Sequence, residues 1–272
     1  MKVISILPQN YLSYLEKDLF HICLGHLIDR PGMEEYTEFY ASEADKKKYI
    51  IMDNGLIEGE PLPVDELINN ALSIGASEII MPDVLGDKNA TLRAIEQAFK
   101  IADEIPGFSS LNIMLVPQGE TIEEWVDCAG QLICNYSSRK FILGVPKVLC
   151  KHNSRGREAA LKALVERYPV ARHYKCHLLG CHESPLEITM LDAEYQRETI
   201  PQIRSVDSAI AFVFTRAGIK MNCSDRPDSK VIDFKGSVIV DKKLLKKNLR
   251  IWRNAGDVFE GGIFNGMRRM FY

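Results

Sequence analysis

Residues 78–105 read EIIMPDVLGDKNATLRAIEQAFKIADEI, and the two halves of this stretch follow different patterns. The first half is a short apolar run of strand length, stopped by Pro82 just before Asp83. In the second half Leu92, Ile95, Ala98, Phe99 and Ala102 return every three or four residues, the spacing of a helix with one buried face. Residues 87 to 91 lie between the halves and supply the polar groups that start such a helix. The segment therefore reads strand, loop, helix.

The same unit recurs outward in both directions. YIIMDNG (49–55) precedes PVDELINNALSIG, and NIMLVPQG (112–119) precedes TIEEWVDCAGQLICNY, where Thr121 with Glu123 and Glu124 marks a helix start. KFILGVPKVL (140–149), KCHLLGCH (175–182) and IRSVDSAIAF (203–212) extend the series, and HICLGHLI (21–28) opens it. Strands buried on both faces and alternating with helices build a parallel sheet. Seven or eight of them in about 250 residues predict a closed (β/α)8 TIM barrel in a single domain, residues 1–272. The eighth strand is expected in SKVIDFKGSVIVD (229–241), unless that stretch forms a small hairpin.

The composition fits a globular chain: 272 residues, 46% hydrophobic, 26% charged and a net charge of −3. No apolar run approaches the roughly 20 residues that span a bilayer. The N-terminus has a short apolar start soon followed by acids, and reads as mature sequence. Seven scattered cysteines read as small buried hydrophobes and suit a reducing cytoplasm. The oligomeric state is left open. A charge of −3 argues against a chain that coats nucleic acid all over, but residues 241–272 carry eight Lys/Arg against three acids. Lys246, Lys247 and Arg250 in this basic C-terminal segment are candidate nucleic-acid contacts; the plainer reading is a solvated helix face.

In a barrel of this kind the chemistry gathers where strands give way to the loops before the helices. Those positions hold Asp53, Asp83, Gln118-Gly119, Gly144, Gly180 and Asp207. One aspartate after a strand is ordinarily a turn or cap residue. Three at equivalent barrel positions weaken that reading, since capping does not require convergence. Cys176-His177 and Cys181-His182 suggest a metal, yet adjacent residues of a strand point to opposite faces, so no metal is expected. No G-x-G-x-x-G or Walker A sequence supports a dinucleotide or P-loop site, no nucleophile elbow supports Cys181 and His182, and no cofactor is expected. Carboxylate chemistry fits best: one Asp attacking a sugar carbon and a second moving protons, beside a planar substrate.

Taken in order, IIMDNG, IIMPDV, VPQG, ILGVPK, HLLGCHES and IRSVDSA resemble the strand ends of the tRNA-guanine transglycosylase superfamily, over roughly residues 20 to 215. The resemblance implies exchange of guanine in a polynucleotide for a 7-deazaguanine base such as 7-cyano-7-deazaguanine. It further implies that Asp207 is the nucleophile, Asp53 the general acid/base and Asp83 the acceptor for the base's Watson–Crick edge. Gln118 with Gly119, and the backbone near Gly144 and Val145, would read the opposite edge, with Leu179 and Gly180 against the ring face. The tRNA-acting members carry a C-terminal C-x-C-x2-C…H zinc site, whereas only Cys223 follows residue 181 here, and Leu56 and Ile57 replace a stacking aromatic. The chain is most like the compact phage-encoded relatives, so DNA is favoured over tRNA as the partner. The competing expectation is a non-catalytic subunit that binds nucleic acid or a transglycosylase partner; a barrel aldolase or hydrolase lacks a strand-end lysine or metal set.

Overall fold

The structure, a computed structural model, describes residues 1–151, 153–181, 186–221, 227, 234 and 238–257. Eight strands alternate with helices: β1 (Lys2–Ser5), β2 (Phe20–Leu24), α1 (Glu34–Asp45), β3 (Tyr49–Asp53), α2 (Val64–Ser73), β4 (Glu78–Ile80), α3 (Lys88–Ala102) and β5 (Asn112–Leu115). There follow α4 (Ile122–Asn135), β6 (Phe141–Pro146), α5 (Gly156–Arg167), β7 (Lys175–Leu179), α6 (Leu186–Gln196), β8 (Gln202–Ser208), α7 (Ile210–Arg216) and α8 (Lys242–Asp257). All ladders are parallel, in the order β1-β8-β7-β6-β5-β4-β3-β2. The two edges, β1 and β2, lie side by side without a ladder, which leaves the (β/α)8 barrel nearly closed.

The eighth strand is not where the sequence reading placed it. Residues 2 to 5 supply it, with Lys2 opposite Ser205 and Ser5 opposite Ser208. Of residues 229–241 the structure describes only Phe234 and 238–241, and the latter precede α8 outside any strand. There Tyr11 Oη donates to Val238 O at 3.1 Å and accepts from Val240 N at 3.0 Å.

Alternation along each strand sorts side chains into two cores. Ile4, Ile22, Ile51, Ile80, Met114 and Val116 fill the barrel interior, while Cys23, Ile50, Met52, Ile79, Leu115, Leu143 and Val206 face the helices. The inward parity of Ile51 carries Asp53 inward, and that of Val116 carries Gln118 inward. β8 breaks the alternation. Cys176 pairs with Ile203 but His177 pairs with Ser205, so Arg204 is an extra residue, a β-bulge. Both Arg204 and Ser205 can then serve the interior, and Asp207 keeps the inward phase of Ser205.

Helix starts follow the sequence signals. Asp87 caps α3 by accepting from Ala90 N at 2.8 Å, and Thr121 caps α4 by accepting from Glu124 N at 3.1 Å. α8 buries Leu245, Leu249 and Trp252, and Trp252 Nε1 donates to Ile4 O at 3.2 Å. Its first turn lies near Tyr11, and Arg253 near its end pairs with Asp18, so it runs down the flank of the barrel. Lys246, Lys247 and Arg250 are exposed on that flank, whereas residues 258–272 of the basic segment lie outside the described residues. Cys134 is exposed, which corrects the expectation that every cysteine is buried; Cys23, Cys128, Cys150, Cys176 and Cys181 are buried, and Cys223 lies outside the described residues. No helix among the described residues is long and apolar enough to cross a membrane.

Candidate active site

A cavity of about 270 Å³ opens at the C-terminal ends of the strands. Its walls include the aliphatic Ile6, Ile22, Ile80, Val116 and Leu179, and its polar groups include Asp53, Asp83, Gln118 and Asp207. The three aspartates named from the sequence thus meet in one place.

Each sits in a different environment. Asp207 Oδ1 lies 2.9 Å from His177 Nε2 and accepts from Gly180 N at 3.2 Å. Among the described residues no donor reaches Oδ2. Asp83 is gripped by two amides: Asn54 Nδ2 donates to Oδ1 at 3.0 Å and Gln118 Nε2 to Oδ2 at 2.6 Å. Burial lifts the Asp83 carboxyl to about 6 against the pull of those donors. Among the described residues Asp53 accepts only from Gly55 N, at 2.8 Å, and burial together with the charges of Glu58, Asp207 and Asp83 lifts it to about 8. At neutral pH it is mainly a neutral acid. Glu58 lines the same cavity, and burial pushes its carboxyl upward as well.

The loops that hold these groups are built for close approach. Gly55 has φ +79°, and a Cβ there would stand 2.4 Å from Glu60 O. Arg157 is buried beneath the other wall, where Nη1 donates to Gly180 O at 2.8 Å and Nη2 donates to Leu179 O. The peptide between Leu179 and Gly180 is therefore held at both ends, its carbonyl by Arg157 and its N–H by Asp207.

Of the residues that the resemblance singles out for the base, Leu179 and Gly180 line the cavity, whereas Gly119, Gly144 and Val145 do not. A Cβ on Gly119 would stand 2.6 Å from Trp125 N, so this glycine lets α4 approach β5. Gly144 points into the barrel, where a Cβ would meet Val116 Cγ2 at 2.7 Å, and it makes room for a wall residue. Val145 has the opposite parity and packs against the helices. Gln118 is in the cavity, but its amide is engaged: Nε2 serves Asp83 and Oε1 accepts from Gly86 N at 3.3 Å.

Sequence reasoning did not find Asn54, Glu58 or His177. Asn54 follows Asp53 directly, and its second amide hydrogen goes to Met81 O at 3.1 Å. The sequence reading weighs His177 only as a metal ligand, yet its inward parity beside Leu179 is legible in the strand. Among the described residues no three His, Cys, Asp or Glu side chains are grouped as a metal site; His182 lies outside them.

No family model matches the chain, and no curated protein matches it. Solved structures do. D-Psicose 3-epimerase with D-tagatose from Clostridium cellulolyticum H10 is 11% identical, over 96% of this chain and 98% of that one, with a TM-score of 0.51. The shared feature is the TIM barrel. N-acetylneuraminate lyase from Mycoplasma synoviae, also 11% identical, covers 93% of this chain and 97% of its own with a TM-score of 0.45. At such identities the likeness extends to the fold and no further.

Proposed function

We propose that the protein is a base-exchange transglycosylase, replacing guanine in a polynucleotide with a 7-deazaguanine such as 7-cyano-7-deazaguanine. The observation that carries this reading is the convergence of Asp53, Asp83 and Asp207 on one apolar-walled cavity, each with a different set of hydrogen-bond partners.

In the first half-reaction Asp207 Oδ2 attacks C1′ of the extruded nucleoside, and the C1′–N9 bond breaks. Its electron pair goes to the purine, which takes a proton from Asp53. In the second half Asp53, now ionised, removes the N9 proton of the incoming base. N9 then bonds to C1′, and the C1′–Oδ2 electron pair returns to Asp207. Charge and protons balance over the two halves, and no cofactor is consumed. Asp83 accepts hydrogen bonds from the N–H groups on the Watson–Crick edge, using lone pairs left beside those given to Asn54 and Gln118. The aliphatic walls hold the ring and exclude the water that would hydrolyse the ester. The target nucleotide must leave its stack to reach this depth, at a cost of a few kcal/mol.

DNA is the favoured polymer, on the resemblance to compact phage-encoded relatives. The test is direct: incubate the protein with labelled guanine or 7-cyano-7-deazaguanine and with DNA or tRNA, and count label in the polymer. Label in DNA supports the proposal, label only in tRNA reverses the polymer, and label in neither sinks the reading.

A further inference from the structure

We propose that His177 is a positioning residue for the Asp207 carboxylate and that Arg204, acting through Ser205, fixes which imidazole nitrogen carries the proton. The proposal rests on the reading of Asp207 as the nucleophile.

A guanidinium has donors and no acceptor, so at the Arg204–Ser205 contact of 3.0 Å the arginine Nε–H donates and Ser205 Oγ accepts. The hydroxyl hydrogen is left free to turn elsewhere. Ser205 Oγ lies 2.8 Å from His177 Nδ1, and because Nε2 faces the acceptor-only Asp207 carboxylate and must donate to it, the hydroxyl hydrogen goes to Nδ1. Nδ1 then accepts, and a neutral imidazole must carry its proton on Nε2, the nitrogen 2.9 Å from Asp207 Oδ1. Between an arginine that can only donate and a carboxylate that only accepts, every proton of the chain points the same way.

Arg204 is itself held. Glu78 is fully buried and accepts from Arg204 Nη1 at 2.6 Å and Nη2 at 3.0 Å, and Tyr49 Oη donates to the same carboxylate at 2.6 Å. The bulge in β8 lets this work, because consecutive residues of a regular strand could not both reach the barrel interior. Ser205, His177 and Asp207 have the composition of a serine-hydrolase triad, but in the reverse sense. Ser205 and His177 are 0% exposed, and it is the aspartate that lines the cavity.

The consequence falls on the second half-reaction. Two donors, His177 Nε2 and Gly180 N, are committed to Oδ1, leaving Oδ2 to attack. In the glycosyl ester Oδ1 is the carbonyl oxygen. As C1′–Oδ2 breaks, negative charge returns to the carboxylate, and these donors are already placed to receive it. His177 therefore acts chiefly on release of the sugar to the incoming base.

The experiment follows formation and discharge of the covalent adduct separately in His177→Leu and His177→Gln, with thermal melting of each. The Leu variant is expected to discharge about 10²- to 10³-fold more slowly and accumulate adduct. The Gln variant, whose amide nitrogen can replace Nε2 as donor, should stay within about tenfold of wild type, the scale of one modest hydrogen bond. A Leu variant that folds and discharges at the wild-type rate overturns the proposal. Imidazole ¹⁵N NMR supplies a readout independent of activity and of any variant that fails to fold. Nε2–H is expected in wild type, with a shift towards Nδ1–H in Ser205→Ala; Nδ1–H in wild type overturns the tautomer assignment. A wild-type protein that exchanges no base but shows Nε2–H would sink the transglycosylase reading and leave the hydrogen-bond chain in place.

Discussion

Gln118 Nε2 stands 2.6 Å from Asp83 Oδ2, while the other end of the same amide receives the Gly86 N–H. The glutamine is thus a brace that keeps a buried carboxylate ionised. Gln118→Leu removes a donor that lowers the Asp83 carboxyl, which must then rise above its present value of about 6. Guanine binding by the variant should need higher pH than binding by wild type, an acid limb displaced upward in a titration by calorimetry. An unmoved limb would mean that Asp83 does not govern base binding.

In the proposed mechanism Asp53 gives the departing purine its proton, so adduct formation should fall as pH rises through about 8. Together with the requirement for ionised Asp83, this gives a bell between about 6 and about 8. Single-turnover trapping against pH checks it, and a flat profile up to pH 10 would remove Asp53 from the step.

The same carboxyl has a stability signature. Its folded value of about 8 exceeds the unfolded one, so its contribution is fully present below the unfolded value near pH 4 and is lost as pH rises through about 8. Asp53→Asn cannot ionise. The variant should therefore melt at least a few degrees above wild type at pH 9, on the usual scale for a chain of this length, with the difference closing towards pH 4. A constant difference across that range would contradict the raised value.

At the other end of the barrel, Arg204→Met leaves Glu78 buried with Tyr49 alone as side-chain donor among the described residues, and unfolding free energy should drop by about 3–5 kcal/mol. The double variant Glu78→Met/Arg204→Met should recover most of that loss. Denaturant titrations of the cycle decide, and additive losses would show that the pair is not coupled.

Lys246, Lys247 and Arg250 stand on the flank of the barrel, exposed on α8. If a polynucleotide extends from the mouth onto this flank, replacing all three by Gln should reduce the salt slope of binding by about 2 to 3, at 0.7–0.9 per phosphate contact. An unchanged slope confines the polymer to the mouth and restores the solvated face as the whole role of these residues.

Seven strands were legible as short apolar runs, and through the middle of the chain as runs that lead by a loop into an amphipathic helix. β1 was not, since KVIS leads into the 3₁₀ turns of Gln9–Leu15 rather than into a helix of its own. The three aspartates could be seen because they end strands. What surrounds them could not: His177 and Asp207 are 30 residues apart and meet across neighbouring strands. The bulge did leave a trace in IRSVDS, where the outward-facing Ile203 and Val206 are three residues apart instead of two. Val145 shows the opposite limit, since the resemblance singled out a stretch of backbone whose side chain strand parity turns towards the helices.

The pairing of β1 with β8 also has a temporal side. Lys2 leaves the ribosome roughly 10 to 40 s before Ser205, its ladder partner, at the usual 5–20 residues per second. Until then β1 has no β8 to pair with, and the mature β1–β8 edge cannot form. Nor can Asp207 occupy its place beside His177 before the same moment. A nascent chain arrested short of residue 207 therefore holds most of a barrel without Asp207, which separates assembly of the scaffold from completion of the cavity within a single round of synthesis.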